Sequence, residues 1–216
     1  ILGVNIGPNK QTKNQEDDFI LGLKIFNNLA DYITINISSP NTENLRDFHE
    51  GKKLIKLLKI INEEKKKKNT TIPIMLKISP DINDSTIDEI SEIAIDNSIT
   101  ALILTNTTNT NRNNLIELQK NEIGGLSGKP LEDISNNIIK KFYKKLSGKI
   151  IIIGVGGVDS GKSAYNKIIS GASLVQLYTG MIFKGPEVVK NIKKDLINHL
   201  KNDGVKNFKE IIGQGI

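Results

Sequence analysis

Apolar residues along this chain fall into short continuous runs separated by longer stretches of helical period. The runs are Leu2 to Ile6, Tyr32 to Ile37, Ile72 to Ile78, Ala101 to Leu104, Ile150 to Val155 and Leu174 to Leu177, and isoleucine dominates them. Runs that are continuous rather than alternating predict strands buried on both faces of a parallel sheet. Between and after them, helical periodicity predicts helices over Asp17 to Ala30, Lys52 to Lys66, Ser85 to Asn97, Leu131 to Leu146, Lys162 to Ser170 and Glu187 to Leu200, with a short last helix near Asn207 to Ile212.

Strict β/α alternation with right-handed crossovers puts every strand's carboxyl end on one face. The runs deliver polar residues there: Asn5, then Asn36 to Asn41, Lys77, Thr105-Asn106-Thr107, Gly156-Gly157 and Tyr178-Thr179. An open doubly wound sheet uses mainly the crevice at its switch point, whereas a closed barrel uses all its strand ends. The pattern therefore predicts a (β/α)8 TIM barrel, of which this chain carries about six of the eight units. Residues 1–216 are expected to form the C-terminal part of a single barrel domain, with two units upstream.

Composition narrows the chemistry. The chain has no cysteine, which excludes disulfides, thiolate metal sites and a cysteine nucleophile, and no metal site is expected. No apolar run approaches the roughly 20 residues of a membrane span, so this part of the protein reads as soluble and cytoplasmic. A net charge of +6 raises nucleic acid as a partner, but Arg46 and Arg112 are the only arginines. Base readout and phosphate forks favour arginine, so no nucleic-acid partner is expected. The lysine run Lys65 to Lys68 reads as a solvated loop.

Gly156 to Ser163 satisfies the P-loop pattern G-x-x-x-x-G-K-[ST] between a strand and a helix. A nucleotide triphosphatase is one alternative on that ground, although no neighbouring strand end offers an acidic magnesium ligand. In barrels, phosphates commonly sit on the glycine-rich loops after the last two strands, which here are Gly156-Gly157 and Tyr178-Thr179.

The segments Asn36-Ile37-Ser38-Ser39-Pro40-Asn41, Leu76-Lys77-Ile78-Ser79-Pro80-Asp81, Thr105-Asn106-Thr107-Thr108, Gly124-Gly125-Leu126-Ser127-Gly128, Gly154-Val155-Gly156-Gly157 and Gly171 to Tyr178 carry a resemblance. In this order they resemble the quinone-linked dihydroorotate dehydrogenases, from Ile1 to the end of the chain. The resemblance implies an FMN-binding barrel that oxidises dihydroorotate to orotate in pyrimidine synthesis. Ser39 would be the catalytic base for the C5 proton, with hydride passing from C6 to the flavin. A serine at its ordinary pKa is a poor base and needs a relay through water or a neighbouring hydroxyl. Fumarate- and NAD-linked relatives usually carry cysteine there, so Ser39 points to a quinone acceptor.

By the same resemblance Asn36, Asn41, Asn106 and Thr107 would hold the substrate. Asn5, Asn36, Lys77, Thr105, Gly128, Gly157, Tyr178 and Thr179 would hold FMN. An ammonium about 4 Å from the reduced flavin's charge is worth roughly 4 kcal/mol at an effective dielectric of 20, which gives Lys77 a role. The family commonly has serine where Thr179 stands, a change that keeps the hydroxyl. Its first strands also supply flavin and substrate residues, so this chain alone is expected to bind FMN poorly. The whole protein is expected to lie at the membrane surface, where its quinone is. His49 and His199 read as surface residues, Ser38 to Gly51 as a mobile lid, and Asn109 to Glu122 as a solvated excursion without chemistry. A flavin-dependent tRNA-modifying barrel is the remaining alternative.

Overall fold

A computed structural model describes residues 1–110, 112, 113 and 115–216, so two positions within the expected excursion at 109–122 lie outside the described residues. Six strands form one sheet in the order of the chain: β1 (Gly3–Ile6), β2 (Tyr32–Asn36), β3 (Ile74–Ile78), β4 (Ala101–Leu104), β5 (Ile151–Val155) and β6 (Leu174–Gln176). Every neighbouring pair is parallel. The order never reverses, so there is no switch point. This is the winding of a barrel rather than of an open doubly wound sheet. β1 and β6 are each paired on one side only among the described residues.

The connecting helices are α1 (Gln15–Phe26), α2 (Gly51–Lys67), α3 (Asp84–Asp96), α4 (Glu132–Leu146) and α5 (Gly161–Ile169), and beyond β6 come α6 (Thr179–Lys184) and α7 (Val188–Asn202). The expected final helix is a 3-10 turn, Phe208–Ile211, and α6 is an element the periodicity did not predict. α5 begins with a capping box, in which the Ser160 side chain accepts the Ser163 N–H while the Ser163 hydroxyl receives the Ser160 N–H.

Strand residues alternate between two environments. Ile33, Ile35, Leu76 and Leu102 face the helices and join Phe19, Leu54, Ile90 and Phe142 in the main buried core. The opposite, inner face holds a smaller cluster of Ala101, Ile103 and Ile153 with Met75 and Val155 packed on it. Ile151 and Leu174 share that inner face by register, yet are 45% and 55% exposed. The inner layer is thus closed over β3 to β5 and open toward β6.

Candidate active site

Register places Asn36 beside Lys77 and Lys77 beside Ile103, one row across three strands of the inner face. The ε-amino group of Lys77 is carried on the inner face by a half-buried side chain, and it has no hydrogen-bond or ion-pair partner among the described residues. Burial lowers its pKa below the ordinary lysine value. A cavity of about 490 Å³ opens over it, bounded by Thr105 to Thr107, Gly128, Gly156-Gly157 and Tyr178-Thr179.

At one rim the β2 and β4 ends meet through polar side chains. Ser38, fully buried, donates from Oγ to Asn36 Oδ1 at 3.0 Å and accepts Asn106 Nδ2 at 3.0 Å. Asn106 Nδ2 also lies 3.4 Å from Asn36 Oδ1, and its own Oδ1 accepts the Thr107 N–H at 2.8 Å. These bonds fix the amide orientations, since each oxygen is met by a donor. The hydroxyl of Ser39, next in sequence, accepts the Asn41 N–H at 3.3 Å. The Gly124-Gly125 turn lies over this corner so closely that a Cβ on Gly125 would overlap Thr107 and stand 3.0 Å from Pro40 Cγ.

The opposite rim is glycine-rich. Gly156 and Gly157 have φ of +112° and +75°, a region that glycine enters without strain. A Cβ on Gly157 would stand 2.6 Å from Glu132 Cα, so the turn rests directly on the first residue of α4. Behind it the fully buried Lys167 donates to Glu132 O at 3.2 Å and Asn136 Oδ1 at 2.8 Å. Thr179 Oγ1 donates to Ser127 Oγ at 3.0 Å, which joins the β6 end to the segment holding Gly128.

Most of the expected site residues therefore converge, with exceptions. Lys77, Thr105, Asn106, Thr107, Gly128, Gly157, Tyr178 and Thr179 line the one cavity. Asn36 and Ser39 do not line it: Asn36 reaches it through Asn106, and Ser39 follows the buried Ser38 at the same rim. Asn5 is exposed on β1 and pairs with Thr34, one strand away from Asn36. Asn41 is exposed and lines a separate depression with Pro40, Asn109 and Gly124.

Three sequence expectations are overturned. The P-loop reading fails because the first turn of α5, Gly161-Lys162-Ser163, is packed on α7 and its serine hydroxyl is already engaged. A Cβ on Gly161 would overlap Asp195, the exposed Lys162 lies 5.3 Å from the Tyr165 ring centroid, and Ser163 Oγ is spent on the N–H groups of Asp159 and Ser160. His49 is buried, not on the surface: Nδ1 donates to Arg46 O at 2.8 Å and Nε2 accepts the Ser79 N–H at 3.2 Å. Burial, reinforced by the Arg46 charge and opposed by the bond to Arg46 O, pushes its pKa down to about 4. His199 is half-buried, its ring 5.6 Å from that of Tyr165. The expected lid is largely anchored, since 45–49 form a 3-10 turn with Leu45, Phe48 and His49 buried and Phe48 edge-on to Phe19 at 5.8 Å.

Ser38, Arg46 and Asp81 are site-forming residues that sequence reasoning passed over. The only signal was that they sit inside or beside the polar strand-end segments.

The family model described as dihydroorotate dehydrogenase matches residues 1–200. A protein of Bartonella henselae named dihydroorotate dehydrogenase (quinone) is 43% identical over 97% of this chain and 59% of its own length. The mouse mitochondrial protein of that name is 42% identical over 98% of this chain and 54% of its own. The crystal structure of DHODH in complex with ferulenol from Eimeria tenella superposes with a TM-score of 0.94 at 37% identity, covering 99% of this chain and 61% of that one. The chain thus spans little more than half the length of the relatives it matches.

Proposed function

The chain belongs to the dihydroorotate dehydrogenase family, and from that premise we propose that the whole protein oxidises (S)-dihydroorotate to orotate, with FMN as cofactor and quinone as electron acceptor. The observation that carries this reading is the Asn36–Ser38–Asn106 amide and hydroxyl cluster set beside Lys77, whose ammonium has no partner among the described residues. Removing a proton from C5 and a hydride from C6 leaves the double bond of orotate. Amide groups that both donate and accept suit a planar pyrimidine with carbonyl, N–H and carboxylate groups. FMN held in the cavity supplies the acceptor for the C6 hydride and the carrier of electrons to the quinone.

The cavity suits that cofactor in three respects. It has room, at about 490 Å³. Its Gly156-Gly157 turn has no side chains and can approach a phosphate with its backbone, while Gly128, Tyr178 and Thr179 complete the ribityl and phosphate end. Lys77 carries a charge that burial disfavours and that a neighbouring negative group would restore. Thr105 would border the flavin on the same side. The remaining expected contacts, Asn5 to the flavin and Asn41 to the substrate, are the least supported, since both residues are exposed and Asn41 lines a separate depression.

Ser39 takes the C5 proton. As Oγ accepts that proton its own hydroxyl proton passes through a relay to solvent, and the Asn41 N–H donated to Oγ eases that loss by favouring negative charge on the oxygen. Asn36 and Asn106, locked by Ser38, hold the substrate ring in a fixed plane, which favours catalysis by orientation. Quinones are membrane-dissolved, which places the whole protein at a membrane surface as a peripheral enzyme. No helix among the described residues is long and apolar enough to cross a membrane.

Ser39→Ala in the protein made from its complete gene tests the assignment. The variant keeps its flavin, and anaerobic reduction by dihydroorotate slows by a factor of about 10²–10⁴, the range for losing a general base. Reduction at the unaltered rate removes Ser39 from the mechanism.

A further inference from the structure

The guanidinium of Arg46 lies where three strand-end loops meet. Nε donates to Ser38 O at 3.3 Å, Nη1 to Asp81 Oδ2 at 2.9 Å and Nη2 to Thr107 O at 3.1 Å. These acceptors belong to the segments following β2, β3 and β4. Two of those segments carry the residues assigned above to substrate and proton transfer. Ser38 O is the carbonyl joined directly to the Ser39 nitrogen, and Thr107 follows Asn106 in the chain.

Asp81 completes the junction. Besides Arg46 it accepts the Thr108 hydroxyl, the Asn109 N–H at 3.0 Å and the Thr110 hydroxyl at 3.2 Å. Burial pushes its pKa up, but Thr108, the Asn109 N–H and Arg46 outweigh it and hold the carboxyl below its ordinary value. The carboxylate thus ties the β4 end to the β3 end, and Arg46 adds the β2 end. The 3-10 turn carrying Arg46 is itself fixed to β3, because His49 bridges Arg46 O and the Ser79 N–H.

We infer that Arg46 and Asp81 form a positioning clamp that sets the distance between Ser39 and the Asn106-Thr107 substrate contacts. Both guanidinium and carboxylate are spent on protein groups, so the pair acts by positioning rather than as catalytic residues. A planar fork with donors in three directions reaches all three acceptors at once, and a lysine point charge does not. The clamp rests on the function proposed above for those contacts, and its loss acts on the rate per bound flavin rather than on flavin content.

The test uses the flavin-loaded protein from the complete gene, with Arg46→Gln, Arg46→Lys, Asp81→Asn and the double variant Arg46→Gln/Asp81→Asn. Anaerobic mixing with dihydroorotate gives the reduction rate at saturation and the substrate affinity, and amide hydrogen exchange gives the mobility of 38–44 and 106–110. A misplacement of about 1 Å costs on the order of 10²-fold, so Arg46→Gln slows reduction by about that factor with flavin retained. Arg46→Lys does not restore it, and the double variant is no slower than the worse single one, as expected for one unit. Exchange rises in both segments together.

Reduction by Arg46→Gln at the unaltered rate, or faster exchange in one segment alone, overturns the clamp. Should Arg46→Gln not fold, Asp81→Asn carries the same comparison at nearly unchanged shape. If the unsubstituted protein's flavin is not reduced by dihydroorotate, the proposed function has failed. The clamp is then judged on exchange alone, sustained by joint loosening of the segments and overturned by its absence.

Discussion

Replacing Lys167 by methionine isolates what a buried ammonium costs beneath the glycine turn. The side chain is fully buried, with Nζ bonded to Asn136 Oδ1 at 2.8 Å and Glu132 O at 3.2 Å. Burial dominates its titration and the carboxylates of Glu132 and Asp133 only partly compensate, which lowers the pKa from 10.5 to about 7. At about 1.4 kcal/mol per pH unit, that difference makes the charged form about 5 kcal/mol less favourable in the fold than in the unfolded chain. The unfolded chain keeps this proton up to about pH 10.5, whereas the fold releases it near 7, so the unfolded chain binds more protons across that window. Stability therefore rises with pH from about 7 to about 10.5, and below 7 the whole cost is present. Urea unfolding of the unsubstituted protein and Lys167→Met at pH 7 and pH 9 measures this, because all other titrating groups cancel in the difference. The difference is expected to move by about 2 kcal/mol in favour of lysine over that interval. A difference that does not change with pH refutes the reasoning.

Two further predictions concern the glycine turn and the buried imidazole. Gly157→Ala forces a side chain onto Glu132 at a φ of +75°, and it is expected to cost about 2 kcal/mol or more and to reduce flavin content, read by thermal unfolding and by absorbance of the purified protein. His49, with its pKa lowered from 6.5 to about 4, takes up a proton in the unfolded chain before the fold does, so its contribution is lost as pH falls from about 6.5 to about 4. The loss amounts to about 3 kcal/mol over that window, and His49→Gln removes the corresponding slope from acid unfolding curves.

Strand positions and the polar character of their ends were legible because continuous isoleucine-rich runs leave few alternatives to a buried parallel strand. The convergence of Lys77 with Thr105 to Thr107 and the two glycine-rich ends followed from topology alone. What was not legible depends on side-chain direction and on partners distant in sequence. Ser38 and Ser39 are adjacent hydroxyls on an extended segment, and only the register decides that one is buried between amides while the other stays accessible. Lys167 sits in a helix whose other lysine, Lys162, is solvated, and nothing in the local pattern distinguishes them. His49 follows Phe48 in a polar stretch, and the partner that satisfies its buried ring, Ser79, is 30 residues away. The P-loop match misled because glycine, lysine and serine at those spacings also serve a capped helix start packed closely on Asp195. α6 is six residues long, too short for helical periodicity to register.

The most direct test of the central claim is the anaerobic visible spectrum of the protein made from its complete gene, before and after adding dihydroorotate. A bound flavin whose absorbance bleaches on addition is expected, which establishes cofactor and substrate together. A protein without flavin absorbance, or a flavin that dihydroorotate leaves oxidised, would contradict it.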